Sequence, residues 1–192
     1  MRALLRPVAI VLSFVAVAAA LGLAYVRTTG LRADTAPGAA EARAARMVRA
    51  LSITAEHRNR RNPVPASPAA VSSGLEHFAD HCASCHGNDG SGDTQYGRGL
   101  YPRPLDLRAA ATQQLTDGEL FYVIEHGIRF TGMPAFGTGE TNGEEDTWHL
   151  VHFIRHLPRL TESERERMNE LNPRSVEDVR QQLEEERFLK GL

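Results

Sequence analysis

The sequence predicts an all-α domain carried behind an apolar amino-terminal helix and followed by a charged helical tail. Three observations predict it. Apolar residues at helical spacing, with start and stop signals, recur through the middle of the chain; no credible β-strand pattern interrupts them; and an uncharged run over residues 7–26 stands near the amino terminus. Composition sets the outer bounds. With 192 residues, 24% of them charged and 6% aromatic, the chain is an ordinary globular one, long enough for one domain with appendages. A formal charge of −2 makes nucleic acid an unsuitable partner, and two cysteines cannot build a disulfide scaffold. Lys190 is the only lysine among 22 basic residues, which gives no footing to lysine-centred catalysis.

Charge divides the chain further. Residues 1–26 carry only Arg2 and Arg6, residues 27–74 carry eight arginines against three acids, and residues 75–157 carry five arginines against twelve acids, a block of −7. That acidic block is the expected folded domain. The organisation predicted is a signal anchor or signal peptide over 1–26, an Ala/Arg/Pro-rich linker over 27–70, a core over 71–158 and a charged helical tail over 159–192.

In the first segment, the nineteen positions from Val8 to Val26 span roughly 28 Å as a helix, close to one hydrocarbon core. Ala16-Val17-Ala18 and Ala18-Ala19-Ala20 offer small residues at the spacing of a cleavage site, yet apolar sequence continues past them. An uncleaved anchor is therefore favoured, with a cleaved signal as the alternative. In the linker, Asn62 to Pro68 holds three prolines and favours extended backbone. A short helix over Ala39 to Ala55 has a small apolar face of Met47, Val48 and Leu51. Its arginines can rest on anionic headgroups, although a solvated spacer is the commoner outcome for so little apolar surface.

In the core, Ser72 or Ser73 can cap a helix that carries Leu75, Phe78 and Ala79 toward Cys82, with Gly74 admitting a close neighbour. A glycine-rich loop from Gly87 to Gly99 follows, then Pro102 and Pro104. Thr116-Asp117-Gly118-Glu119 has the capping-box pattern and opens a helix through Leu120, Phe121, Val123 and Ile124 that stops before Gly127. After a loop from Thr131 to Gly143, a last core helix runs from about Glu144 to His156, with Trp148 and Val151 on its apolar side, and Pro158 ends it. The tail opens with a second capping box, Thr161 to Glu164, and continues after Asn172-Pro173 as a charged helix from Ser175 to Lys190. Its thin stripe of Val176, Val179, Leu183 and Phe188 can dock on the core or a partner, though a solvated helix is the usual fate of such a sequence.

The chemistry-bearing motif is His81-Cys82-Ala83-Ser84-Cys85-His86. It contains C-x-x-C-H, the attachment signature of c-type haem, in which two thiols bond the porphyrin and the histidine ligates iron. One helical turn separates Cys82 from Cys85, so both sulfurs can face one ring edge while His86 is carried beneath it. A redox dithiol is expected near a βαβ pattern that the chain lacks. Zinc needs four ligands and no second cysteine pair exists. Only haem also uses His86. Because such haem is attached outside the cytoplasm, residues 27–192 are expected on the periplasmic side of the membrane.

Over roughly residues 71–158 the chain resembles a class I cytochrome c, in particular the small mono-haem bacterial cytochromes similar to the haem-c domains of cbb3-type oxidase subunits. C-x-x-C-H after a first helix carries the likeness, together with Gly132-Met133-Pro134-Ala135-Phe136 in a loop before the last one. The resemblance implies three to five helices wrapped around one covalent haem c, held by Cys82 and Cys85 with His86 and Met133 as iron ligands. The residues agree with Met133: it lies between two core helices beside a stiffening proline, while Met47 falls in the linker and Met168 in the tail. His126 is the alternative ligand, although it reads better as a helix end next to Gly127. By the same resemblance Pro104 and Leu105 wall the haem, and Tyr96, Tyr101 or Arg103 reach its propionates.

His149, His152 and His156 share one helix face at i, i+3 and i+7, a spacing that can hold Zn²⁺ or Cu²⁺ and is otherwise an exposed, titrating stripe. The function implied is one-electron transfer by a non-catalytic carrier. Its expected partners are redox proteins, membrane-associated respiratory complexes with a basic docking patch, and the bilayer itself through the first helix. Two alternatives stand beside it: a haem-based gas sensor in which Met133 dissociates, and an electron-relay subunit fixed by its tail into a larger oxidoreductase.

Overall fold

The computed structural model describes residues 2–139 and 141–172, together with residues 180, 184, 187, 188 and 190. It divides into two units, Met1–Thr35 and Ala36–Leu192. The first unit is one helix, α1 (Arg2–Thr29), closed by an ion pair between Arg32 and Asp34 at 2.7 Å. Within it Pro7–Thr28, 22 residues with an 18-residue window of mean hydropathy 2.4, is long and apolar enough to cross a membrane. At 1.5 Å per residue that stretch measures about 33 Å.

The second unit is all-helical among the described residues: α2 (Ala39–Ser52), α3 (Ala55–Arg58), α4 (Pro68–His81), α5 (Ala83–His86), α6 (Gln95–Arg98), α7 (Ala110–Gln113), α8 (Asp117–His126), α9 (Thr141–His156), a 3-10 turn (Leu157–Arg159) and α10 (Glu162–Leu171). Local chemistry explains most of the boundaries. Thr116 and Thr161 both make the reciprocal capping boxes read from the sequence, and Gly127, at φ 62°, ends α8. Helix α4 starts five to six residues earlier than expected. Ser67 caps it through the Ala70 N–H and Pro68 occupies its first turn, so Ser72 and Ser73 lie inside the helix. The glycine-rich stretch contains one short helical turn, α6, where pure loop was expected, capped by Thr94 accepting from the Gly97 N–H; a second such turn, α7, follows Pro104.

The core is built on the crossing of α4 and α9. A β-carbon on Gly74 would overlap the backbone carbonyl of His149 and come within 2.8 Å of the Phe153 β-carbon, so only glycine permits this approach. Phe78 and Phe153 meet there at 5.1 Å, and Trp148 stacks on Phe121 of α8 at 4.1 Å. Arg155, at the end of α9, donates to the carbonyls of Gln113 and Leu115 and pairs with Asp117, which fastens α9 to the start of α8.

Two segments read as appendages pack against this core. Folded packing begins upstream of the expected boundary at residue 71, because residues 53–64 lie across α8 and α9 as a strap. Ile53 is buried, Arg58 pairs with Glu119 at 2.9 Å, and Thr116 Oγ1 donates to the Arg58 carbonyl. Arg60 lies 4.3 Å above the Phe121 ring and pairs with Glu144, while Asn62 Nδ2 donates to the Trp148 carbonyl. On the other side of the chain, α10 packs on α4 and inserts Met168, which is 0% exposed, into the apolar cluster. The docking stripe expected farther along the tail falls on Val176, Val179 and Leu183, which lie outside the described residues; Phe188 is exposed.

Candidate functional site

Cys82 closes α4 and opens α5, and the turn between them is held by backbone bonds from Cys85 N–H and His86 N–H to the Cys82 carbonyl at 3.1 and 2.8 Å. The two sulfurs therefore sit one turn apart on a hydrogen-bonded scaffold, with Ala83 buried beneath them. Both thiols are unbridged. Burial, with Cys85 adding to it, pushes the Cys82 thiol up to about 12, so it is not the thiolate that a redox dithiol requires. Burial likewise lowers the His86 imidazole below its ordinary 6.5, with the Leu105 backbone opposing, and so favours the neutral ring that ligates metal. His86 Nδ1 is buried and makes no hydrogen bond of normal geometry. Phe78 lies 6.5 Å from the same ring.

The loops around this turn are tied to it and to one another. Thr94 Oγ1 donates to the Cys85 carbonyl, Gly92 N–H to the His86 carbonyl, and Leu107 N–H to the Gly90 carbonyl. Arg108 joins Asp89, three residues after His86, to Asp106 at 2.8 and 2.9 Å. The hydrogen bond from Arg108 holds the Asp106 carboxyl below its ordinary 3.8 against partial burial. Because the folded value is the lower one, the clamp's stabilisation is complete above that ordinary value and is lost as pH falls through the folded value. Guanidinium titrations of the haem-loaded chain at stepwise lower pH should show stability falling in that window, and Asp106→Asn should flatten that part of the slope. An unchanged slope in the variant would remove Asp106 from the acid response.

Met133 stands in the loop between α8 and α9, anchored independently of its side chain. Ile128 N–H donates to the Met133 carbonyl at 3.1 Å, Met133 N–H to Thr131 Oγ1 at 3.1 Å, and Phe136 N–H to the Ile124 carbonyl at 3.0 Å. This loop meets the segments around the cysteine turn at two points. A β-carbon on Gly132 would lie 2.7 Å from the Leu100 side chain, and the Phe136 ring is 6.1 Å from His81. Met133 is half-buried. It is not the only methionine inside the fold, because Met168, assigned from the sequence to the tail, is sealed in the apolar core. Position in a loop facing the cysteine-bearing segments, rather than elimination, distinguishes Met133.

The alternative ligand His126 sits in a ring cluster with Tyr122 at 4.5 Å and His57 at 6.3 Å. The three histidines of α9 separate: His152 Nε2 donates to the Val64 carbonyl at 2.8 Å, His156 pairs with Glu164 at 2.9 Å, and His149 Nδ1 is buried without a partner. Among the described residues no group of three or more His, Cys, Asp or Glu side chains can hold a metal ion, so the shared-face metal reading fails. Tyr101, a candidate propionate partner, donates to Glu41 at 2.6 Å. The residues of the cysteine turn and the Met133 loop do fit a haem: two unbridged thiols one turn apart, a half-buried imidazole favoured neutral, and a thioether on a backbone-fixed loop.

The family model described as cytochrome c oxidase, cbb3-type, subunit III matches residues 69–154. No curated protein matches the sequence. Among solved structures, a chain of the reducing HAO-like protein complex of Kuenenia stuttgartiensis aligns with a TM-score of 0.43 and 20% identity, over 50% of this chain and 46% of that one. This chain thus spans less than half the length of that neighbour. The segment from 69 to 154, with C-x-x-C-H at the end of its first helix, is thus similar to the cytochrome c domain of cbb3-type oxidase subunit III and consistent with a class I c-type cytochrome.

Proposed function

We propose that the protein is a membrane-tethered carrier of single electrons on the periplasmic side, with one haem c bonded by Cys82 and Cys85 and ligated by His86 and Met133. When bound, the haem would supply a one-electron iron couple, and His86 and Met133 would be the residues that hold its iron and deny it to a substrate. The chain's own residues determine the rest. The observation that carries this reading is the pairing of a half-buried C-x-x-C-H turn with a backbone-anchored Met133 loop packed against Leu100 and His81. Residues 1–26 serve as the anchor, in keeping with the apolar span Pro7–Thr28. The acidic block at −7 favours a redox partner with a basic docking patch, an attraction that weakens as salt rises.

Absorption spectra of the exported chain in oxidised, reduced and carbon-monoxide-treated forms test the assignment. Low-spin haem indifferent to carbon monoxide is the expected result. A spectrum that shifts with carbon monoxide would transfer the function to sensing, and the absence of haem would overturn the reading as a whole.

A further inference from the structure

Helix α2 is amphipathic in the wrong sense for a protein in water. At 3.6 residues per turn, Ala40, Ala44, Met47, Val48 and Leu51 fall within an arc of about 100°, and Arg43, Arg46 and Arg49 all lie outside that arc. A helix of this pattern normally turns its apolar stripe onto a core. Here nothing in α2 is buried, and Met47, Val48 and Leu51 are 66%, 66% and 82% exposed. The helix is nevertheless fixed to the domain near both ends: Glu41 accepts from the Tyr101 hydroxyl at 2.6 Å, and Arg58 donates to the Ala50 carbonyl at 2.9 Å. Polar bonds hold it in place while its apolar face is left bare.

Two features of the chain identify what covers that face. Charge is the first: between residues 27 and 52 there are five arginines against Asp34 and Glu41, so the surroundings of the apolar stripe are cationic. Proximity is the second. Only residues 29–38 separate the apolar span Pro7–Thr28 from α2, and ten residues fully extended reach about 35 Å. If that span is inserted, α2 never leaves the neighbourhood of the headgroups, and a short helix that would bind weakly from solution is held at high effective concentration. We infer that α2 lies in the interface of an anionic phospholipid bilayer, with Met47, Val48 and Leu51 among the acyl chains and Arg43, Arg46 and Arg49 at the phosphates. This rests on the anchor reading given above. It adds a second membrane contact, one that belongs to the domain itself and therefore limits how the domain can turn on its tether.

The test uses the haem-loaded full chain in lipid nanodiscs, spin-labelled at Leu51→Cys or at Ala45→Cys, with the parent chain as the labelling background. In anionic discs, oxygen should relax the label at position 51 more than a polar nickel chelate does, and the order should reverse at position 45. Replacing Arg43, Arg46 and Arg49 together by glutamine, or using purely zwitterionic lipid, should return position 51 to the nickel-accessible state. Nickel access at position 51 equal to that at position 45, in a chain still retained by anionic discs, would overturn the inference. Exclusion of both reagents from position 51 would also overturn it, since a protein surface would then cover the face. Loss of the chain from the discs would instead be the failure of the anchor reading, and this inference would fall with it.

Discussion

Met133→Ala is expected to leave a folded, covalently loaded domain that binds one carbon monoxide per chain, where the parent binds none, and whose reduction potential is lower. The loop keeps its shape without the thioether, because its hydrogen bonds run through the Met133 backbone, Thr131, Ile128 and Phe136. On the proposed ligation, what is lost is a thioether that favours the reduced state and keeps carbon monoxide out. The contrasting variant is Met168→Ala. That side chain is fully enclosed, so its removal should cost roughly 2–5 kcal/mol of stability through the cavity it leaves, with spectrum and potential unchanged. If Met133→Ala left the spectrum and the carbon monoxide response as they were, the ligand would have to be sought on another residue.

Gly74→Ala should destabilise the haem-loaded chain by about 3 kcal/mol. Away from tertiary contacts the same change in a helix stabilises by roughly 0.5–1 kcal/mol, so the sign of the effect is itself diagnostic. The added carbon would meet the His149 backbone carbonyl and the Phe153 β-carbon, neither of which can rotate aside. Relief requires α4 and α9 to separate, and that opens the contacts of Phe78 with Phe153 and of the helices with Trp148. Guanidinium unfolding of parent and variant measures it. A neutral or stabilising result would mean that the two helices cross less closely.

What was legible in the sequence was local. The capping boxes at Thr116 and Thr161, the stop at Gly127 and the apolar positions Leu75, Phe78 and Ala79 each depend on residues within a turn or two of one another, and the structure forms them as read. The close helix crossing was legible at Gly74 because glycine inside an otherwise good helix calls for a packing reason. The strap was not. Asn62 finds its partner 86 residues away and Arg58 finds Glu119 across 61, and no periodicity records such pairings. A proline-rich, arginine-rich stretch looks like a spacer whether or not its polar groups have partners in the fold.

Met168 was missed for a related reason. Met168 and Leu171, on a helix otherwise made of Glu, Arg, Asn and Ser, leave too short a stripe to read, yet those two side chains and the amide pair between Asn88 and Asn172 dock that helix. The histidines of α9 failed in the opposite direction. Their spacing puts them on one face, but neighbours from the strap and from α10 reach that face at different heights and claim His152 and His156 separately. At the candidate site, C-x-x-C-H was readable from spacing alone, whereas the choice of Met133 leaned on resemblance, since a loop methionine has no local signature.

The strap also determines where force enters the domain. A pull arriving along the chain from the amino-terminal side reaches Ile53, Arg58, Arg60 and Asn62 before it can reach Pro68 and the helix that ends in the cysteine turn. Those contacts load α8 and the middle of α9 in shear, and the bond from His152 to the Val64 carbonyl adds one more hold before Pro68. The cysteine turn is thus mechanically insulated: tension on the chain upstream of Ile53 is taken up before it reaches the geometry around His86.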